Sequence, residues 1–502
     1  MWSDGRRLCR YDTIGAMDRR QVIAWAIATG WRGARAAQSQ GNSAPPQPEA
    51  VEPLTVFTEH PRLLLPPQRL RLLKRERERR SGRWVQFEAL VHGGAPMPEP
   101  GFAQALYYVI SGDSNAGRKA ITWALGNGTD LRQQALVFDW CQSLLTAAQS
   151  TQLAARLERG LAEHQEAGGM ASIRSRALAA IALFDHVPES PERELERIVR
   201  GWWEHTVVPA LRDGRSVIAR DDAYPLFEIL HAVRDATNTD LRESVGRFFK
   251  DFPIEHLLSH YPASFPAADN EYRIGAARTI GEPNLRLAAL SRAAELAMVA
   301  FDVNAPESQV LQGWLMHDRF LLRGPFGSPY EFLWANPYQP GLSYYHVPLI
   351  YYNPDFGTLF VRSNWEESAT WFGYFNGTVQ LFREGRVTPL NPELTSGPIS
   401  LTEAVIFFGR NARRFRTTLE EDEEVFVIGL KPRQTYLVEV DDEEAREAAT
   451  DAGGILTLDL PHQVEVGVRM REIAVPVHRR EIRPEPAERV RPMRPRRDPD
   501  EH

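Results

Sequence analysis

Apolar residues change their period once along this chain. From Phe102 to about Val299 they recur at helical spacing, with breaks at Gly126-Asn127-Gly128, Gly168-Gly169, Pro188 and Asp213-Gly214. The spacing predicts helices at about 102–111, 115–125, 132–147, 151–164, 172–185, 190–211, 224–236, 239–250 and 284–301. An earlier amphipathic helix follows Pro66-Pro67 and carries Leu70 and Leu73. Short turns between consecutive helices predict antiparallel hairpins, and the lack of a fixed repeat disfavours a regular solenoid. Past Asn353 the period becomes two, and strands are expected at 357–362, 369–375, 404–408, 425–428, 435–440, 454–460 and 464–468. The predicted fold is a multidomain α and β chain: an N-terminal (α/α) toroid over 58–320, then an antiparallel β-sandwich over 354–475.

Between them, residues 321–353 form an expected aromatic and proline-rich hinge. From Arg323 to His346 it holds four prolines, four tyrosines, two phenylalanines, a tryptophan, the carboxylate Glu331 and a terminal histidine. Such a segment suits a stacking wall for a ring-shaped ligand or a rigid connector between domains.

Composition narrows the partners. A net charge of −7 leaves no basic footprint, which argues against nucleic acid. No eighteen-residue apolar run is present, so no membrane span is expected. The apolar run Val22–Trp31, preceded by Arg19-Arg20 and followed by Ala34-Arg35-Ala36-Ala37, reads as an export signal within 1–37, with Met17 as its start and a twin-arginine route open. A proline-rich linker is expected over 38–57 and a disordered tail over 476–502. The two cysteines, Cys9 and Cys141, can build neither a structural disulfide nor a thiolate metal site. No phosphate-cradling glycine loop, G-x-S-x-G elbow or H-E-x-x-H occurs, and the acidic runs 420–424 and 441–444 lack a calcium-loop pattern. No cofactor and no metal are expected.

Polar clusters supply candidate contacts. Asn270-Glu271-Tyr272-Arg273 lies in a helix-poor stretch and reads as a sugar-contacting loop or a capping network. Trp202, Trp203 and Trp334 are stacking platforms or core. Tyr224 follows Asp221-Asp222 at a helix start, where Asp222 suits a cap, and His231 lies two turns along the same face.

The opening H-P-R-L-L-L (His60–Leu65), the phrase A-L-V-F-D-W (Ala135–Trp140) and L-F-V-R-S-N-W (Leu359–Trp365) together resemble the heparinase and alginate-lyase type of polysaccharide lyases. The resemblance covers roughly 58–475 and implies an incomplete (α/α) toroid joined to a β-domain. It implies β-elimination on an acidic, uronate-containing polysaccharide, with a base for the C5 proton and a partner for the sugar carboxylate. Carried over, Tyr224 is base and acid, Arg174 or Arg176 stands where the family has Asn-His, and His346 completes the site. Asp222, His231, Asn270, Glu271, Tyr272, Arg273, Glu331, Trp334, Tyr344 and Tyr345 are the implied substrate contacts. Two other functions stay open: glycoside hydrolysis by a carboxylate pair such as Asp222 with Glu271 or Glu331, and glycan binding without catalysis.

Overall fold

The computed structural model describes residues 54–473 except 164–167, 238, 319, 410–412, 442 and 444. The expected signal, most of the linker, and the tail lie outside the described residues. The described residues fall within one compact unit.

The helices are α1 (Pro67–Glu78), α2 (Gly82–His92), α3 (Pro100–Ser111), α4 (Ser114–Leu125), α5 (Leu131–Trp140), α6 (Ala147–Glu163), α7 (Met170–Leu183), α8 (Ser190–Glu196), α9 (Val208–Arg212), α10 (Ala223–Thr237), α11 (Phe248–Leu258), α12 (Leu285–Phe301), α13 (Pro306–Asp318) and α14 (Gly324–Trp334). Side-chain caps start several of them, as where Asp130 accepts from the Gln133 N–H and Asn284 from those of Arg286 and Leu287. Helices α3, α5, α7, α10, α12 and α14 pack in succession, and α14 also meets α3. The molecule is thus mixed α and β.

Two of the quoted phrases pair with each other. Asp139, buried in A-L-V-F-D-W, accepts the Arg62 and Leu63 N–H groups at 3.0 and 2.9 Å and meets His60 Nδ1 at 2.6 Å. Trp140 donates its indole N–H to the Leu63 carbonyl. These residues satisfy buried backbone groups where the chain enters the helical body. In R-S-N-W, Arg362 lies over the Trp365 ring, whose N–H reaches the Val347 carbonyl.

The expected hinge holds the helix α14 and a short 3-10 turn at Tyr344–His346. Pro325 falls in the first turn of α14, where its missing N–H costs nothing, and Pro329 is accommodated inside it. Gly341 and Leu342 then lie against α13 so closely that a Cβ on Gly313 would sit 1.6 Å from the Leu342 carbonyl oxygen.

A hairpin β1 (His260–Pro266) and β2 (Glu271–Gly275) interrupts the helices. Three sheets follow. The first is the antiparallel meander β3 (Ile350–Asn353), β4 (Thr358–Arg362), β5 (Trp371–Phe375), β6 (Thr378–Arg383), β7 (Arg386–Leu390). The second joins β8 (Ile399–Leu401), β9 (Ala404–Phe408), β11 (Glu424–Ile428) and β14 (Leu456–Leu458), with β9 and β11 parallel. The third joins β10 (Arg414–Thr418), β12 (Thr435–Val440), β13 (Arg446–Ala449) and β15 (Glu465–Glu472). Alternate side chains assign the layers. Phe360, Trp371 and Phe375 face the helical core, while Leu359, Val361 and Phe372 face Ile406 and Phe426 of the second sheet. Val405 and Val425 turn the other way, onto Val438 and Val466 of the third. The pattern is therefore three stacked sheets, the first covered by helices.

Candidate functional site

A buried charge network ties the ring together. Glu228, fully buried on α10, accepts from Arg132 Nη2 at 2.6 Å and Nε at 2.8 Å, from Arg174 Nη1 at 3.2 Å and from the Tyr224 hydroxyl at 2.6 Å. Glu99, before α3, accepts from Arg132, from Arg286 of α12 and from the Tyr330 hydroxyl of α14. All six ring helices contribute at or beside this network. Burial opposes ionisation of Glu228, but Arg132 and then Arg174 outweigh it and hold the carboxyl below its usual range.

This corrects the expected role of Tyr224. Its ring is 1% exposed, and its hydroxyl also accepts from the Trp334 indole at 3.1 Å. Burial first and then the Glu228 charge push the phenol well above its ordinary range, opposite to what a tyrosinate base requires. Arg174 is engaged by Glu228, and Arg176 by Glu194 at 2.8 Å. Trp334 is core under the Arg69 guanidinium, 4.2 Å from its ring centre. His231 is fully buried with Nε2 2.9 Å from the Ala297 carbonyl oxygen, and burial lowers it to about 4. Glu331 is buried and accepts the Leu322 N–H.

The remaining candidates spread out. Asn270 donates to the Leu321 carbonyl, Tyr272 to Asp269, and Arg273 to Asp318. Glu271 is exposed and accepts from Ser264. These bonds tie 270–273 within the hairpin and to residues 318–321. Tyr344 stacks on His317 at 3.7 Å, while Tyr345 and His346 are exposed in the same turn. No hydrogen bond or ring contact among the described residues joins His346 to Tyr224 or Arg174.

Trp334 edges a cavity of about 540 Å³ beside Arg69, and Asp222 lies in a larger cleft. Its carboxylate accepts the Ala219 N–H at 3.2 Å, just before α10. The cleft lies between α11, the 214–222 segment and the first sheet, with a volume of about 720 Å³. Its walls carry Phe248, Phe252, Phe356, Phe360 and Phe375 beside Asp221, Asp222, Glu255, Arg220 and Arg278. A second cavity of about 280 Å³ shares Arg220, Asp221 and Ala277 with it and runs along 279–284 to Ser291. Tyr261 donates to Gln380 and Gln380 to the Ala277 carbonyl, fixing the first sheet against this wall.

Glu255 lies beyond the helix expected at 239–250; α11 instead runs from Phe248 through Pro253 to Leu258. Its carboxyl accepts the Tyr351 hydroxyl at 3.0 Å, and burial pushes it up to about 7. Burial also raises Asp222, and neighbouring Asp221 adds to the rise. Aromatic faces, carboxylates and guanidiniums in one cleft can stack and hydrogen-bond a sugar, and a carboxyl titrating near neutrality can donate a proton.

No family model and no curated protein matches the sequence. A solved structure described as a glycoside hydrolase is similar over 74% of this chain and 71% of that one, at 10% identity and a TM-score of 0.28. A likeness of this size carries no argument about activity.

Proposed function

We propose that this protein is a carbohydrate-active enzyme that cleaves an acidic glycan by hydrolysis in the cleft beside α11. In this reading the six-helix ring is an (α/α) toroid and the first sheet closes its substrate side. Glu255 is the general acid, protonating the leaving oxygen. Asp222 is the carboxylate that activates water or attacks the sugar. The observation that carries the reading is that Glu255, held near 7, lines the same cavity as Asp221 and Asp222. Arg220 and Arg278 favour a sugar bearing a carboxylate or another anionic group.

Elimination remains the second reading, because those guanidiniums would equally neutralise a uronate and His256 also lines the cavity. Product chemistry separates the two. Incubation with neutral and uronate-containing polymers is expected to release reducing ends without an ultraviolet-absorbing product. Reducing ends together with that absorbance would assign elimination. Binding with no new ends on any polymer would leave a glycan-binding protein.

A further inference from the structure

We propose that His256, His260 and Glu295 form a binding site for a divalent ion of the zinc type, in the wall between the two cavities. His256 closes α11, His260 opens β1 four residues on, and Glu295 comes from α12. All three are buried, and one ligand atom from each lies within 4.8 Å of the other two. His256 Nε2 is 3.5 Å from Glu295 Oε1. Ligand bonds of about 2.0–2.1 Å in a tetrahedral shell place neighbouring donors roughly 3.3 Å apart. Small side-chain rotations would therefore bring the set onto one ion.

The surroundings already orient the donors. His260 Nδ1 is 2.6 Å from the His256 carbonyl oxygen, which can only accept, so Nδ1 carries the proton and Nε2 presents a lone pair. Glu295 Oε2 is held by Arg292 at 2.8 Å, which leaves Oε1 toward the histidines.

Ser291 Oγ sits 2.9 Å from His260 Nε2 and 3.1 Å from His256 Nε2. Its hydroxyl can donate to only one of the two rings, so without an ion His256 Nε2 must carry a proton shared between Ser291 and Glu295. The ion would replace that single proton. The proton then moves to Nδ1 of His256, which has no hydrogen-bond partner among the described residues. Two histidines and one carboxylate form the donor set of a borderline transition ion rather than of calcium or magnesium. His256 lines the larger cavity and Ser291 the smaller, giving routes of entry from both sides.

The test uses the full chain after chelator treatment, titrated with Zn²⁺ and separately with Co²⁺. One equivalent is expected to bind, to raise the melting temperature and, for Co²⁺, to give visible absorption of a four- or five-coordinate site. Glu295→Gln and His260→Gln should each weaken Zn²⁺ by at least tenfold. His186→Ala, in the more exposed cluster with His60 and Asp185, should leave the equivalent in place. Because the buried variants can lose their fold, wild-type Co²⁺ spectra decide independently. A wild type that binds no stoichiometric Zn²⁺ and develops no Co²⁺ bands overturns the site, as does an equivalent lost in His186→Ala.

Discussion

Glu228→Gln is expected to cost the folded protein about 3–5 kcal/mol, measured as a lower denaturant midpoint at unchanged slope. The substitution leaves Arg132, 1% exposed, without the carboxylate that neutralises it. An amide still accepts one hydrogen bond but brings no charge, so the guanidinium keeps its burial cost and loses most of its compensation. Arg174 and Tyr224 likewise lose the charge on their shared acceptor. Because Glu228 ionises more readily in the folded state, its contribution is complete above the unfolded carboxyl value of about 4.3 and is lost as pH falls through the lower folded value. The gap between wild type and variant should therefore narrow in acid. Replacing both partners, Arg132→Met with Glu228→Leu, should recover part of the loss, because Arg132 is no longer a buried charge without its carboxylate, while Arg174 and Tyr224 still lack their acceptor.

Glu255→Gln is expected to lower kcat for glycan cleavage by about 10²–10⁴-fold with little change in substrate binding. Its effect on stability has the opposite sign to that of Glu228. A carboxyl raised to about 7 binds its proton more tightly folded than unfolded, so wild-type stability declines from about pH 4.3 to 7, and the cost is complete above 7. Glutamine carries no such cost. The variant should match or exceed wild type at pH 8, by up to about 2–3 kcal/mol for this half-buried group, while losing activity. A positional catalytic acid predicts that combination, and a structural carboxylate does not.

The sequence carried the helical and strand segments better than it carried the chemistry. Periodicity located most helices because their apolar stripes face a shared core, yet it missed α2, α13 and α14, the last of which carries an internal proline. It missed β6 and β7 although Asn376-Gly377 and Glu384-Gly385 mark tight turns, with positive φ at all four positions. Strands such as β4 and β9 are buried at every position, which alternation alone cannot distinguish from a one-faced sheet. The motif phrases proved informative about docking: Asp139 holds 62–63, and Arg362 packs on Trp365.

The site was less legible. Tyr224 looked exposed at a helix start, but Glu228 one turn later could have signalled an internal phenol–carboxylate pair. His346 stood out through the scarcity of histidines in the β-region, a property of composition with no bearing on convergence. Glu255, His256 and His260 stand close together in the sequence but were not among the expected site residues. Their burial and their proximity to Asp222 and Glu295 arise only from tertiary contacts.

The pH dependence of reducing-end release by wild type and Glu255→Gln tests the central claim most directly. On a uronate-containing polymer that the enzyme cleaves, the wild-type rate should fall on the alkaline side with a midpoint near 7, and the variant should lose both the rate and that limb. A wild type that releases no reducing ends at any pH, or a variant that keeps the wild-type rate and alkaline limb, would contradict the assignment of Glu255 and its cleft.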